Sequence, residues 1–304
     1  MSPLVLEVSA EVLEIEFEEF KIHPAYSKTA SYEQFLDYKS EGDTRVVING
    51  NRHYRTPYGA LPSVTTILSA VSGNKAALER WAKKNPGGRE AAAARGTAVH
   101  GLMENYLLGI DKDPVVEDPE IASFWQHLPE KLSQLGRVLW AENPVGDNFN
   151  WTRGSDNISR VWHPGTHETE TWGWAGAPDI VAEWKGKIVL GDLKTSNNLY
   201  YSKFPIVGEC PKEEYGKRRA GYLKYEKCMK QLGAYSLGLE HTIGVVPEIF
   251  MIFVATQERA QVFAVQGGTL QKWQNKWLKD VEKYYTQIVN QPPEIDFEVV
   301  DGDA

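Results

Sequence analysis

Hydrophobic and polar positions along the chain follow two periods, and the switches between them mark out the elements. In residues 45–55 (RVVINGNRHYR) two β-prone runs flank Asn-Gly-Asn, residue types that reach the positive φ angles of a tight hairpin turn. Pro62-Ser63 then opens a helix, in which Ser63 can cap the N-terminus and Val64, Ile67, Leu68 and Val71 recur at helical spacing until Gly73. Residues 89–109 (REAAAARGTAVHGLMENYLLG) are rich in helix formers, with Val99, Leu102, Met103 and Tyr106 on one apolar face. An amphipathic stretch over residues 121–135 leads into the strand-like RVLWAEN. Residues 144–173 read as a loop rich in Gly, Asn, Thr and Trp.

Residues 174–195 (WAGAPDIVAEWKGKIVLGDLKT) hold two β-prone runs, DIVAEW and KIVLGDL, separated by a Lys-Gly turn, and so predict a second hairpin. A Lys- and Tyr-rich stretch to about residue 220 reads as irregular, and the run from there to Glu240 as helical. PEIFMIFVAT and QVFAVQ are strands, and residues 270–289 form a last amphipathic helix carrying Trp273 and Trp277. At the ends, residues 4–20 fit either a strand with one wet face or a short acidic arm, and the tail EIDFEVVDGDA frays.

At 304 residues, with 42% apolar and 11% aromatic side chains, the chain has ample material for one elaborated globular domain. No run of about 18 apolar residues predicts a membrane span. The N-terminal residues lack the basic stretch of a signal peptide and the Arg-rich character of a transit peptide, so the expected setting is cytoplasmic. Cys210 and Cys228 stand apart without CxxC spacing, which excludes a cysteine-built zinc knuckle or iron–sulfur site. The net charge of −8 looks unsuited to a polyanionic partner, but the distribution is uneven. Residues 1–20 carry six Glu and no Lys or Arg, whereas residues 203–230 carry eight basic side chains against four Glu. Residues 75–95 hold Lys75, Arg80, Lys83, Lys84, Arg89 and Arg95 against Glu79 and Glu90. Such runs are usually solvated faces, and each is a candidate phosphate contact only in the right context.

The chemistry concentrates in the second hairpin. Asp179 begins its first strand and Asp192 ends its second, so antiparallel pairing brings two carboxylates into one corner. Period-two geometry puts Asp192 and Lys194 on one face, with the Leu193 carbonyl between them as a further oxygen ligand. Two carboxylates and a carbonyl suit a hard cation, Mg²⁺ or Mn²⁺, able to polarise a phosphodiester and activate a bound water. Lys194 would orient or deprotonate that water, or offset charge in the transition state. A D-x-K at a strand end is common by itself. Here the preceding KIVLG is apolar enough for a buried strand, and an ionised Asp at its end needs a partner. On the earlier helix His100 and Glu104, four apart, share a face.

GAPD, IVLGDLKTS and QLGAY, preceded by PSVTTIL and RGTAVHGLMENYL, resemble the RecB-like branch of the PD-(D/E)xK nucleases over about residues 57 to 255. Within that branch the pattern is most similar to phage exonucleases and the mitochondrial genome maintenance exonuclease family. The resemblance implies an α/β, restriction-endonuclease-like core with a mixed central β-sheet flanked by helices. It divides the chain into an extension (1–56), a nuclease domain (57–290) and an acidic tail (291–304). It implies a Mg²⁺- or Mn²⁺-dependent exonuclease, with one or two ions, acting on single-stranded DNA or frayed ends in replication, repair or recombination. The catalytic roles fall on Asp179, Asp192 and Lys194, with His100 as a metal ligand, the Leu193 carbonyl as another, and Glu104 as a candidate outer-sphere ligand. Gln231 and Tyr235, four apart on a helix, match the family's Q-x-x-x-Y motif and would contact DNA or brace the lysine.

Further candidates surround this set. Exposed hydroxyls of Ser63, Thr65 and Thr66 at a helix N-terminus suit a phosphate, as do Arg95 and Thr97 just before His100, and Thr195 joins the supporting residues. Tyr200, Tyr201, Tyr222 and Tyr225 among lysines fit either base stacking or ordinary packing, and Glu142 is an acidic candidate at a strand end. The chain lacks a phosphate-binding G-x-x-x-x-G-K-[ST] loop, so any motor would be a separate helicase or a recombination or replication protein. A bacterial or phage-infected cell is the implied setting, with no membrane partner. The same core also serves flap or junction endonucleases, and a non-catalytic DNA-binding recombination partner is the rival outside enzymes.

Overall fold

The computed structural model describes residues 45–56, 59–73, 75–141, 143–144, 161–163 and 172–289. The acidic segment 4–20, Glu142, most of the 144–173 loop and the 291–304 tail lie outside the described residues. Strands β1 (Arg45–Ile48) and β2 (Asn51–Thr56) form the predicted hairpin, and its turn residues Asn49 and Gly50 both take positive φ. Strand β3 (Gly59–Pro62) adds to β2, so this small sheet runs across position 56. Helix α1 (Val64–Val71) follows, with Ser63 as its N-cap and Val64, Ile67 and Leu68 buried. Helices α2 (Lys75–Lys84) and α3 (Gly88–Leu107) come next, and α3 buries Val99, Met103 and Leu107.

The amphipathic stretch expected over residues 121–135 is two helices, α4 (Pro119–Trp125) and α5 (Leu128–Leu132). Pro129 lacks the N–H that one continuous helix would need, so the chain breaks and restarts there. Strand β4 (Val138–Ala141) is followed by the two-residue β5 (Asn143–Pro144), which turns back and pairs antiparallel with it. Inside the segment read as a loop, β6 (Val161–His163) pairs with β7 (Trp174–Gly176). Strands β8 (Ile180–Trp184) and β9 (Lys187–Thr195) form the second hairpin around Lys185 and Gly186, again both at positive φ.

Helix α6 (Lys212–Ile243) starts well before residue 220, which corrects the irregular reading of that stretch. Pro211 precedes it, Glu213 and Glu214 favour its positive N-terminal end, and Glu214 pairs with Arg218 one turn on. Gly216 and Gly221 interrupt the sequence period. At Gly221 a β-carbon would stand 2.5 Å from the Leu199 carbonyl oxygen, so the helix needs a glycine to pass the preceding loop. Strands β10 (Ile249–Ala255) and β11 (Ala260–Gln266) and helix α7 (Gly268–Lys283) complete the fold, and a π-helical turn (Tyr284–Ile288) extends α7.

The main sheet has the order β11-β10-β9-β8-β4-β5; β9 and β10 are parallel and the other neighbours antiparallel. Alternate residues of the central strands feed two cores. Ile188, Leu190, Phe250, Ile252 and Val254 pack with α1, α6 and α7, whereas Val189, Leu193, Met251 and Phe253 pack with α3, α4 and α5. The chain is thus a mixed sheet flanked by helices on both faces. No described helix is long and apolar enough to cross a membrane.

Candidate active site

A step in the sheet creates the site. Strand β8 pairs with β9 only from Trp184 opposite Lys187 to Ile180 opposite Gly191, whereas β10 stays paired with β9 as far as Thr195. Asp192 therefore lies inside β9, not at its end as the sequence suggested, because a partner strand more than fifty residues further along carries β9 onward. Beyond Gly191 the β8 side of β9 is left to side chains. The Leu193 N–H donates to Asp179 Oδ2 at 2.9 Å, and the Leu193 carbonyl meets His100 Nε2 of α3 at 3.0 Å. His100 Nδ1 is 3.8 Å from the same Asp179 oxygen. The Trp140 indole donates to the Pro178 carbonyl at 3.1 Å and so fixes the corner from which Asp179 projects.

Strand alternation sends Asp192 and Lys194 to the α6 face. Asp192 is fully buried, and Gln231 Nε2 donates to its Oδ1 at 3.0 Å. The same amide nitrogen donates to Tyr235 Oη, also at 3.0 Å, an orientation that keeps the Gln231 oxygen away from the carboxylate. Lys194 Nζ stands 2.5 Å from Asp192 Oδ2, a buried ion pair in which the ammonium is that oxygen's partner. Burial pushes the Asp192 carboxyl up to about 7 against the pull of Lys194, and the Asp179 charge adds to the rise. Burial also works against the Lys194 ammonium, but the carboxylates of Asp192 and Asp179 outweigh it and hold its pKa well above the usual lysine range. Tyr235 stays a phenol, through burial first and the two aspartates second.

The atoms facing this corner are carboxylate oxygens, a main-chain carbonyl and an imidazole nitrogen. Among the described residues no three His, Cys, Asp or Glu side chains form a cage by themselves. A cation here would depend on the Leu193 carbonyl and on water, the coordination that Mg²⁺ favours. The donor set fits such an ion: the buried carboxylates of Asp179 and Asp192 share one corner with the Leu193 carbonyl, which His100 Nε2 meets at 3.0 Å.

Comparison with known proteins adds little to this geometry. No family model matches the chain, and no curated protein matches it. Among solved structures, the crystal structure of SSO0001 is similar at 13% identity over 40% of this chain and 48% of that one, with a TM-score of 0.23. The match thus spans about half the length of that protein, and at this score it carries no argument about fold or function.

Asp179, Asp192, Lys194, His100 and the Leu193 carbonyl are thus brought together, with Gln231 and Tyr235 directly behind them. Glu104 is half-buried one turn after His100, and Thr97 is exposed one turn before it. Gly96 on α3 passes Thr195, where a β-carbon would lie 3.7 Å from the threonine hydroxyl. Other expectations need correcting. Ser63 is buried, and its hydroxyl caps Thr66 N–H while contacting the hydroxyls of Thr65 and Thr66; Thr66 in turn donates to the Arg52 carbonyl. These hydroxyls form a closed cap, not an exposed phosphate cradle. Arg95 pairs with Glu120 at 2.6 Å and lies over the Phe124 ring, so it braces α3 against α4. Tyr200 and Tyr225 belong to the core, Tyr222 packs edge-on against Phe204, and Tyr201 sits under Arg218.

The sequence reading passed over three contributors. Trp140 is legible only as a strand aromatic. Gly176 is needed because a β-carbon there would stand 2.5 Å from the Tyr235 ring; its signal was the glycine heading GAPD. The third is the pair Lys224 and Lys227, which charge counting included without singling out.

Proposed function

We propose that this protein is a metal-dependent deoxyribonuclease with a restriction-endonuclease-like core. The observation that carries the reading is the convergence of Asp179, Asp192, the Leu193 carbonyl and Lys194 where β9 outruns β8. Mg²⁺ or Mn²⁺, held by Asp179, Asp192, the Leu193 carbonyl and His100, would polarise a phosphodiester and make a bound water acidic. Gln231 fixes Asp192 through Oδ1 and leaves Oδ2 turned toward Lys194. Asp179, by accepting from Leu193 N–H, locks the main chain that presents the carbonyl. Lys194 orients the attacking water and offsets negative charge growing on the phosphoryl oxygens. Glu104, one turn from His100, would hold a further water.

The likeness of the motifs to RecB-like nucleases favours an exonuclease on single-stranded or frayed ends, working alone or beside a separate helicase or recombination protein in the cytoplasm of a bacterium or a phage-infected cell. The test is incubation with end-labelled linear and circular single-stranded and duplex DNA in Mg²⁺, Mn²⁺ or EDTA. Metal-dependent loss of linear substrate with circles intact supports the exonuclease. Cut circles would convert the reading to an endonuclease. Intact DNA in every metal, with binding retained, would reduce the protein to a DNA-binding module.

A further inference from the structure

Basic residues of α6 divide by the neighbour they face. Toward α7, Lys230 pairs with Asp280 at 2.9 Å, and Glu226 receives Lys276 at 2.8 Å. Near the helix start, Arg218 pairs with Glu214. Lys224 and Lys227 have no carboxylate partner among the described residues. Lys224 Nζ donates to Ser196 Oγ at 3.0 Å, just past the end of β9, and Lys227 Nζ reaches Ser69 Oγ of α1 at 3.5 Å. Lys227 lies one helical turn before Gln231, the residue that holds Asp192, so both ammonium groups border the carboxylate corner.

These charges do not serve the buried aspartate. Lys194 and His100 are the groups whose positive charge steadies Asp192. Both lysines reach solvent, yet the protein around them strips enough water to lower their pKa. Lys227 is also close enough to Lys194 for the like charges to repel. Positive groups without a carboxylate partner, exposed on one helix and held only by serine hydroxyls and, for Lys224, the Tyr200 ring at 5.7 Å, are arranged for an anion supplied from outside.

We propose that Lys224 and Lys227 form a two-point clamp for backbone phosphates of one DNA strand, seating it across α6 between α1 and the end of β9. Side chains three apart on a helix have Cβ atoms ~5–6 Å apart, a spacing that phosphates of a single strand can bridge. The clamp would position the strand for cleavage at the Asp192–Lys194 corner, and to that extent it rests on the nuclease reading. It carries no base recognition, because ammonium groups reading phosphates are indifferent to sequence.

Binding of fluorescein-labelled oligo-dT and oligo-dA to the full chain in EDTA, from about 50 to about 200 mM KCl, tests it by anisotropy. In the Lys224→Gln/Lys227→Gln variant the slope of log K against log salt should become shallower by about 1.4, since each single-strand phosphate contact contributes about 0.7. Both oligonucleotides should weaken equally. Lys279→Gln, exposed on α7, should keep the wild-type slope. A double variant that retains the wild-type slope, whatever its affinity, while the wild type binds and cuts DNA would overturn the clamp and leave the nuclease standing. A wild type that neither binds nor cuts would overturn both.

Discussion

Replacing Asp192 with asparagine should abolish cleavage and at the same time make the metal-free protein more stable. The two side chains are nearly isosteric, and Gln231 would rotate its amide to meet either one. Asp192 is fully buried with its carboxyl pushed from an ordinary 3.8 up to about 7. A carboxyl whose folded pKa is raised lends stability in full below the unfolded value and loses it as pH rises through the folded one. Relative to asparagine, the wild type should therefore lose ground between about pH 4 and about pH 7 and then level off. At ~1.4 kcal/mol for each tenfold, the rise corresponds to about 4 kcal/mol. That figure is a ceiling, because asparagine leaves the buried Lys194 ammonium without its nearest carboxylate, which offsets part of the gain. It translates into a difference in Tm on the order of 10 °C at about pH 8 in EDTA. The assay is denaturant or thermal unfolding of both proteins in EDTA at about pH 5 and about pH 8, repeated with Mg²⁺. Saturation with Mg²⁺ at a hundredfold over its Kd should return about 2.7 kcal/mol to the wild type and much less to the variant. An Asp192→Asn protein less stable than wild type at the higher pH would instead make Asp192 and Lys194 a structural ion pair.

Lys194→Gln should lower kcat by about 10²–10³-fold in single-turnover cleavage while DNA affinity changes only slightly, since the ammonium acts on the transition state. Gln231→Leu removes the donor to Asp192 Oδ1 and should cost ~1–3 kcal/mol in unfolding in EDTA, with the loss concentrated at high pH where Asp192 is charged. Gly176→Ala, by pushing on the Tyr235 ring, should cost ~1–3 kcal/mol and reduce cleavage together; unchanged kcat would mean that Tyr235 does not brace the site. Gly233→Ala, whose β-carbon would stand 2.9 Å from the Trp273 carbonyl oxygen, should cost a similar ~1–3 kcal/mol in Tm assays but leave kcat intact in the folded fraction, because it separates α6 from α7 away from the carboxylates.

Local signals were legible wherever the deciding residues adjoin in sequence. Asn49-Gly50 and Lys185-Gly186 take the positive φ that their hairpins demand, and Ser63 caps α1 by accepting from the Thr66 N–H three residues on. The alternation of β9 sets Asp192 and Lys194 on one face and Leu193 on the other, as expected from period two alone. What stayed hidden depends on distant partners. Arg95 looks like a phosphate ligand until Glu120, twenty-five positions away, neutralises it. The hydroxyls of Ser63 and Thr66 look free until Arg52 and their own helix consume them. The start of α6 was obscured by Gly216 and Gly221, and only the proximity of Leu199 explains why Gly221 is tolerated.

The sheet topology accounts for why these residues gather at one place. Among the described strands β9 and β10 are the one parallel pair, and a parallel pair needs a crossover long enough to return the chain to the same end. Helix α6 is that crossover, and its 32 residues lay Lys224, Lys227, Gln231 and Tyr235 along the face of the sheet it covers. Because β10 supports β9 to Thr195 while β8 stops at Ile180, the strand end that emerges beneath α6 carries main-chain groups free to bond side chains. Asp179 and His100 then reach Leu193 from the open side, and Gln231 reaches Asp192 from above. Lengthening β8 by two residues would pair those groups and close the step. The buried carboxylate, unfavourable to ionise even beside Lys194, follows from the same arrangement that holds the sheet together.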